Sequence, residues 1–404
     1  MDEKTIELEK VTLTFKRDGD TLIIHPAGRI ESVNAAKAEA AIQEELHDIN
    51  AVQLDCEKLE YISSAGLRII LRIKKAYDNV SAVNVSNEVY EVFEVTGFSE
   101  MIDVQKAFRT LSVEGCEVIG SGANGIVYRY DEDTIVKVFR NPNALDEIKR
   151  ERELARTAFV LGVPTAISYD IVKVEGNLYG SVFELLNADT FQHLLITGEK
   201  SVEEVVAMSV DLLKTVHSRL PKPGVLPSRL DIAKKRLQII RPLLPEDAFE
   251  KLSAMVDAIP ENGHMMHGDF HVKNVMIQDG ECLLIDMDTL CTGDPIFEFA
   301  GMYLPYIGFG EIDPEDPVKF FGISIEVSHR LFYETTEAYF KDQELPFDQV
   351  LVRARILAYC RILYYCAVGK HMAPEQIPDR TEYARAKLLE LLPQTDELSA
   401  HVTY

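Results

Sequence analysis

Three glycines set between two strand-like runs constrain this 404-residue chain most. Ile119-Gly120-Ser121-Gly122-Ala123-Asn124-Gly125-Ile126-Val127 fits G-x-G-x-x-G-x-V in full. Glu117-Val118-Ile119 precedes the loop and Ile126-Val127-Tyr128-Arg129-Tyr130 follows it, and both have strand composition. A dinucleotide fingerprint opens a helix, whereas strand–loop–strand makes a hairpin. Glycine has no Cβ, so the backbone amides of Gly120, Gly122 and Gly125 can approach phosphate oxygens closely. The next strand, Thr134-Ile135-Val136-Lys137-Val138-Phe139, carries a lysine able to reach the α- and β-phosphates. A helix expected over residues 142–161 offers Glu147, Glu151 and Glu153 as partners for Lys137, and Glu153 is the one chosen.

A second constellation lies more than a hundred residues downstream. His267-Gly268-Asp269-Phe270-His271-Val272-Lys273-Asn274 is followed by Leu284-Ile285-Asp286. Asp269 can receive a proton from an attacking hydroxyl, and Asn274 with Asp286 can hold a magnesium ion bridging the phosphates. Phosphoryl transfer asks for little more, because positioning and charge neutralisation supply most of its catalysis. Each piece alone has an ordinary reading: a Gly/Asn turn, a solvated lysine, a wet helix face. The order and spacing of Asp269, Asn274 and Asp286 favour catalysis. His267 reads as a residue that holds the loop, His271 as a loop residue, and Asp288 as a capping or solvent-facing acid. His264, His267 and His271 lack the cysteine pair or H-E-x-x-H that a zinc site needs.

Together these motifs resemble the aminoglycoside phosphotransferase and choline kinase-like branch of the protein-kinase-like fold. The resemblance runs from about residue 115 to the C-terminus. It implies a bilobal domain, with a β-rich N-lobe over residues 115–186 and a mostly helical C-lobe over 187–404. It also implies ATP and Mg²⁺ as cofactors, Asp269 as base, Lys137 and Glu153 as the phosphate lysine and its partner, and Asn274 and Asp286 as metal ligands. Phe183-Glu184-Leu185-Leu186 is the implied hinge for the nucleotide base, through Glu184 and Leu186. Gly293-Asp294-Pro295 matches the family's G-D-P, and Val216-His217 its L-H. Glu298 departs from a common Asp and is expected to be structural.

The first hundred residues read differently. Val11–Phe15 and Thr21–Pro26 are expected to pair as strands around a turn at residues 16–20. A helix follows over 33–47, a strand over 51–55, a helix over 67–76, a strand over 82–85 and a helix over 87–95. Such alternation favours a mixed α/β sheet. With Leu59-Glu60-Tyr61-Ile62-Ser63-Ser64-Ala65-Gly66-Leu67, this portion resembles a STAS domain, the fold of anti-sigma-factor antagonists, over residues 1–107. The resemblance implies a regulatory protein partner and a phosphorylated serine before the helix, for which Ser64 is the candidate. The alternative is that Ser63 or Ser64 caps the helix. The fold class is thus α/β and α+β in two domains.

Net charge is 42 − 66 = −24. That excludes nucleic acid and anionic membrane as partners, since both need basic surface, and permits a cationic hydroxyl acceptor. Glu298, Glu311, Asp313, Glu315 and Asp316 follow the metal loop and read as a solvated acidic stretch. Six cysteines without C-x-x-C pairs, the charged start Met1-Asp2-Glu3-Lys4 and the lack of a long apolar run lead to the expectation of a cytoplasmic chain. Tyr359-Cys360-Arg361-Ile362-Leu363-Tyr364-Tyr365-Cys366 reads as core packing. Three functional classes stand: a small-molecule kinase with a regulatory domain, a protein kinase in a partner-switching circuit, and a nucleotide-sensing module without turnover. The first leads, because only a short run separates Asp286 from Gly293-Asp294-Pro295, with no peptide-docking activation segment.

Overall fold

The computed structural model describes residues 3–122, 124–342, 346–369 and 372–397. The chain divides into two compact units, residues 1–112 with 172–175, and residues 113–171 with 176–404.

The first unit is built on a mixed sheet. Its strands are β1 (Lys4–Leu8), β2 (Val11–Asp18), β3 (Thr21–Ile30), β4 (Ala51–Asp55), β5 (Leu59–Ile62), β6 (Asn79–Val85) and β7 (Asp103–Lys106). They lie in the order β1-β2-β3-β4-β6-β7, with β5 pairing β3. The first three are antiparallel neighbours, and β3, β4, β6 and β7 run parallel. Alternation drives β2 into place: Val11, Leu13 and Phe15 are buried while Thr12 and Thr14 are half-exposed. The turn between β2 and β3 is shorter than expected, because both strands continue to Asp18 and Thr21. Gly19, at φ +58°, supplies the left-handed step that so tight a turn needs. Helices Ala35–Glu45, Ser64–Ala76 and Asn87–Val95 cover the sheet. Gly66 is fixed by packing, since a Cβ there would sit 2.6 Å from Ile62 Cγ1 and 2.8 Å from Ile30 Cγ2. β8 (Arg109–Leu111) pairs in parallel with Val172–Val174.

The second unit begins with the antiparallel strands β9 (Glu117–Ser121), β10 (Gly125–Arg129) and β11 (Thr134–Phe139). After β12 (Asp170–Val174) comes β13 (Leu178–Glu184), which pairs β11 with Lys137 opposite Ser181. The helix Leu145–Val160 lies between β11 and β12, shorter at both ends than the expected span. The rest is largely helical. Val202–His217 starts at a reciprocal cap, Ser201 N–H to Glu204 Oε2 at 2.9 Å and Glu204 N–H to Ser201 Oγ at 3.2 Å. Two helices follow in turn, Glu315–Phe321 and Ile325–Phe340. Gly322 at φ +69° closes the first, and the Ser324 side chain caps the second. Helices Arg229–Ile240, Ile296–Tyr303 and Phe347–Val368 share one apolar core with them. No described helix is long and apolar enough to cross a membrane.

Candidate active site

The glycine hairpin forms as expected, with β9 and β10 paired and a register shift between Val127 and Tyr128. Its three glycines do different work. A Cβ on Gly125 would lie 2.5 Å from the Val138 carbonyl oxygen, so that position is closed to any side chain. A Cβ on Gly122 would meet nothing within 4 Å, so its role is backbone access. Gly122 N–H donates to Gly125 O at 2.9 Å across the loop.

Lys137 stands where chain segments far apart in sequence converge. Its Nζ lies 3.0 Å from Glu151 Oε1 and 2.9 Å from Asp286 Oδ1. The lysine's partner on the helix is therefore Glu151, and the choice of Glu153 is corrected. Glu153 points outward, 68 % exposed, and pairs with Arg156 at 3.1 Å. The helix itself explains this. Ile148, Ala155 and Ala158 form its buried stripe, and Glu151, three residues from Ile148 and four from Ala155, falls on the same face. Glu153 is two residues round and faces water. Burial weakens the Lys137 charge, but the carboxylates of Glu151 and Asp286 outweigh that and hold its proton more tightly than usual. Burial also pushes the Glu151 carboxyl up against the pull of Lys137.

The loop carrying Asp269 is pinned on all sides. Gly268 adopts φ +84°, and a Cβ there would come within 2.4 Å of Thr289 O. Glu298, wholly buried, accepts the Gly268 N–H at 2.9 Å and the Phe270 N–H at 3.4 Å. His217 Nε2 lies 3.6 Å from the other oxygen of Glu298. His267 Nε2 faces Ile285 O at 3.0 Å while its Nδ1 takes the Asp269 N–H at 3.3 Å, which defines the Nε2–H tautomer. Asn274 Nδ2 donates to Asp269 O at 2.9 Å, and Ile285 N–H donates to Asn274 O at 3.0 Å. Asp269, Asn274 and Ile285, the residue before Asp286, are thus tied into one hydrogen-bonded frame. Asp286 itself adopts φ +63°, a conformation that costs an aspartate about 1 kcal/mol or more.

Asp269 is 39 % exposed at its side chain, with His271 Nε2 3.6 Å and Arg361 Nη2 3.9 Å from its two oxygens. Burial would raise its pKa. The His271 and Arg361 contacts outweigh burial and hold it below the usual carboxylate range, so the group is ionised at neutral pH. His271 is a loop residue, as expected, but a buried one: it is 5 % exposed, its ring edge-on to Phe320 and Phe321. Asp288 is half-buried. Burial, with Asp286 and Glu151 close by, pushes its carboxyl up to about 7.

Two further expectations need correction. Of the acids after Asp286, Glu315 is solvated as expected, but Glu298, Glu311 and Asp316 are not. Glu298 is buried, Glu311 accepts the hydroxyls of Tyr303 at 2.8 Å and Tyr359 at 2.5 Å, and Asp316 pairs with Arg380. Sequence reasoning also passed over Arg361 as core packing. An arginine inside an apolar helical run was the available signal, because a charge taken out of water must find a partner.

In the segment expected as the hinge, Glu184 ends β13 and is exposed, while Leu186 is half-buried. The Leu185 N–H is committed to Asp133 O at 2.7 Å. In the first unit, Ser63 caps the helix Ser64–Ala76 by accepting the Gly66 N–H at 3.4 Å. Ser64 is the exposed first residue of that helix.

A lysine held by a helix glutamate, a glycine hairpin on the neighbouring strands and an acid–amide–acid frame beneath them define a kinase-like phosphotransferase site. Residues 115–322 match the family model described as the phosphotransferase enzyme family, and the chain belongs to that family. Residues 12–113 match the model of the STAS domain. The protein BtrV of Bordetella bronchiseptica, which carries the name anti-sigma factor antagonist, is 36 % identical over 97 residues. That stretch is 23 % of this chain and 84 % of the relative. Among solved structures, an aminoglycoside phosphotransferase APH(4)-Ia in ternary complex with ADP and hygromycin B overlaps at TM-score 0.49 and 14 % identity, covering 69 % of this chain and 94 % of that one. ADP-bound APH(2'')-Ib overlaps at 0.45 and 15 %, covering 68 % and 93 %. These overlaps are too loose to carry an argument about acceptor or chemistry.

Proposed function

We propose that this protein moves the γ-phosphoryl group of ATP to a hydroxyl of a small-molecule acceptor, with magnesium as cofactor. The observation that carries the reading is the meeting of Lys137 with Glu151 and Asp286, at 3.0 and 2.9 Å, across 149 residues of sequence. No core-packing need brings a lysine and two carboxylates together there.

The residues divide the work by their chemistry. Amides of the Gly120–Gly125 loop cover the phosphates. Lys137 leaves Asp286 for the α- and β-phosphates, and Glu151 keeps it aimed. Glu184 and Leu186 flank the nucleotide base. Asp269, ionised at neutral pH, takes the proton of the acceptor hydroxyl as the oxygen attacks phosphorus. Asn274 and Asp286 fit magnesium. Both present hard oxygen donors, and with the Asn274 Nδ2 spent on Asp269 O the amide oxygen is the atom left for a cation. The ion, when bound, supplies charge neutralisation for the phosphates.

The STAS domain serves as the regulatory or docking module, with Ser64 as the site a partner kinase would phosphorylate. A phosphate there would sit on free helix amides. The test is ATP-dependent phosphate transfer to a panel of amines, sugars and hydroxy acids, run beside candidate proteins. Label on a small hydroxyl compound supports the reading. Label only on a protein replaces it with the partner-switching kinase, and nucleotide binding without any transfer replaces it with the sensing module.

A further inference from the structure

The carbonyl of Gly268, one residue before the base, accepts two guanidinium groups. Arg229 Nη2 reaches it at 2.9 Å and Arg361 Nη1 at 3.5 Å. Both side chains also wall a cleft in the helical part of the second unit, and Arg236 is its third basic lining residue. The cleft is small, about 40 Å³, enough for an anionic head group, and among the described residues no acid lines it. Leu237, Val256, Phe297 and Leu357 make the rest of the lining mostly apolar.

Among the described residues only Arg361 of the three has a carboxylate within 4 Å, that of Asp269, which is few for a chain with 66 acidic and 42 basic residues. Arg229 and Arg361 have work to do on the Gly268 loop. Arg236 has none. Among the described residues it has neither a hydrogen bond nor a carboxylate, and it stacks over the Tyr364 ring at 4.7 Å. Burial, with Arg361 and Arg229 close by, holds its guanidinium down at about 10. Like charges gathered in a partly desolvated site cost free energy. Folds keep such local costs at functional sites, where a ligand supplies the missing charge.

We infer that the cleft takes the anionic group of the phosphate acceptor: a carboxylate, phosphate or sulfate bound by Arg236 with Arg229 and Arg361, on an apolar body whose hydroxyl faces Asp269. Guanidinium forks match such oxyanions in geometry and charge. Arg361 joins the two functions, because it lines the cleft and lies 3.9 Å from Asp269 Oδ1. The acceptor is then an anion, and the expectation of a cationic one is replaced. This inference rests on the phosphotransferase reading for the acceptor's role, but anion binding can be measured without turnover.

The full-length chain is titrated calorimetrically with inorganic phosphate and, separately, with glycerate, which tells phosphate from carboxylate preference. Arg236→Gln is expected to weaken binding about 10- to 100-fold, the usual worth of one charge-assisted hydrogen bond. Arg236→Lys should retain part of it, and Lys137→Ala should leave it intact. Thermal melting checks folding, and Arg236→Gln is expected to melt no lower than wild type because it relieves like-charge repulsion. Loss on Lys137→Ala instead of Arg236→Gln would place the anion at the nucleotide loop and overturn the inference, as would the absence of any anion binding. Where an acceptor is found, Arg236→Gln should raise its KM by a similar factor and leave the KM for ATP unchanged. A neutral or cationic acceptor indifferent to Arg236 overturns the inference and leaves phosphoryl transfer standing. No transfer to any acceptor removes the kinase reading and with it the acceptor's role, and leaves anion binding in the cleft to be decided by the calorimetry.

Discussion

Exchanging Glu151 for Gln, with Glu153→Gln as its control, separates the two helix positions that sequence could not. Glu151 Oε1 is 3.0 Å from Lys137 Nζ, and the two side chains are 13 % and 17 % exposed. A largely desolvated, charge-assisted contact of this kind contributes about 1.5–3 kcal/mol. Losing a buried partner outright costs about 3–5 kcal/mol. Asp286 at 2.9 Å remains to hold the lysine, so the lower range applies. On the proposed function, Lys137 would turn from Asp286 to phosphate when nucleotide binds, and Glu151 would then be its one protein anchor. Glu151→Gln should therefore lower kcat/KM for ATP by about 10- to 100-fold, at 1.36 kcal/mol per tenfold. Glu153 and Arg156 are 68 % and 59 % exposed, and such surface pairs contribute about 0–1 kcal/mol. Glu153→Gln should stay within about twofold of wild type, since uncoupled surface changes fall within about ±0.5 kcal/mol. Initial rates at varied ATP, with circular dichroism to check folding, measure both. A tenfold loss on Glu153→Gln beside an unaffected Glu151→Gln would refute the assignment.

The remaining expectations concern the Asp269 loop. Gly268→Ala forces a Cβ to 2.4 Å from Thr289 O at φ +84°, so it should lower the thermal midpoint by the several degrees that about 1–3 kcal/mol represents, along with activity. Glu298→Ala strands the Gly268 and Phe270 N–H groups in a fully buried place; a cost of about 1–3 kcal/mol for each unmet buried donor is expected in denaturant unfolding of the second unit. The Asp269 pKa lies below its unfolded value. Its contribution to stability is thus fully present above the unfolded pKa of about 3.9 and is lost as pH falls through the folded value. Activity should then show no acid limb from this group between pH 5 and 7, and a limb there that vanished in Asp269→Asn would count against the low pKa.

Much of the site was legible because its motifs are local. The hairpin, Lys137 on β11 and the run from His267 to Asp286 each declare themselves over a few residues, and a phosphate loop between strands leaves few folds to choose from. What was lost needed the rotation of an element about its own axis. Glu147, Glu151 and Glu153 are equivalent in composition, and only the stripe of Ile148, Ala155 and Ala158 gives the phase that selects Glu151. The arginine cleft was harder still. Arg229 and Arg236 sit on one helix and Arg361 on another, over a hundred residues later, so helix packing alone unites them. A net charge of −24 pointed the other way, because a sum over the surface says nothing about one cleft. β5 went unread because four residues, half of them exposed, give almost no periodicity.

Phosphate transfer from labelled ATP to hydroxyl acceptors, by wild type beside Asp269→Ala and Lys137→Ala, reaches the central claim most directly. Wild type should transfer label to a small molecule. Both variants should stay folded, with the Asp269→Ala rate lower by about 10²–10⁴ as expected for a lost general base, and with Lys137→Ala turnover largely lost. Nucleotide-dependent turnover unchanged in either variant would contradict the account.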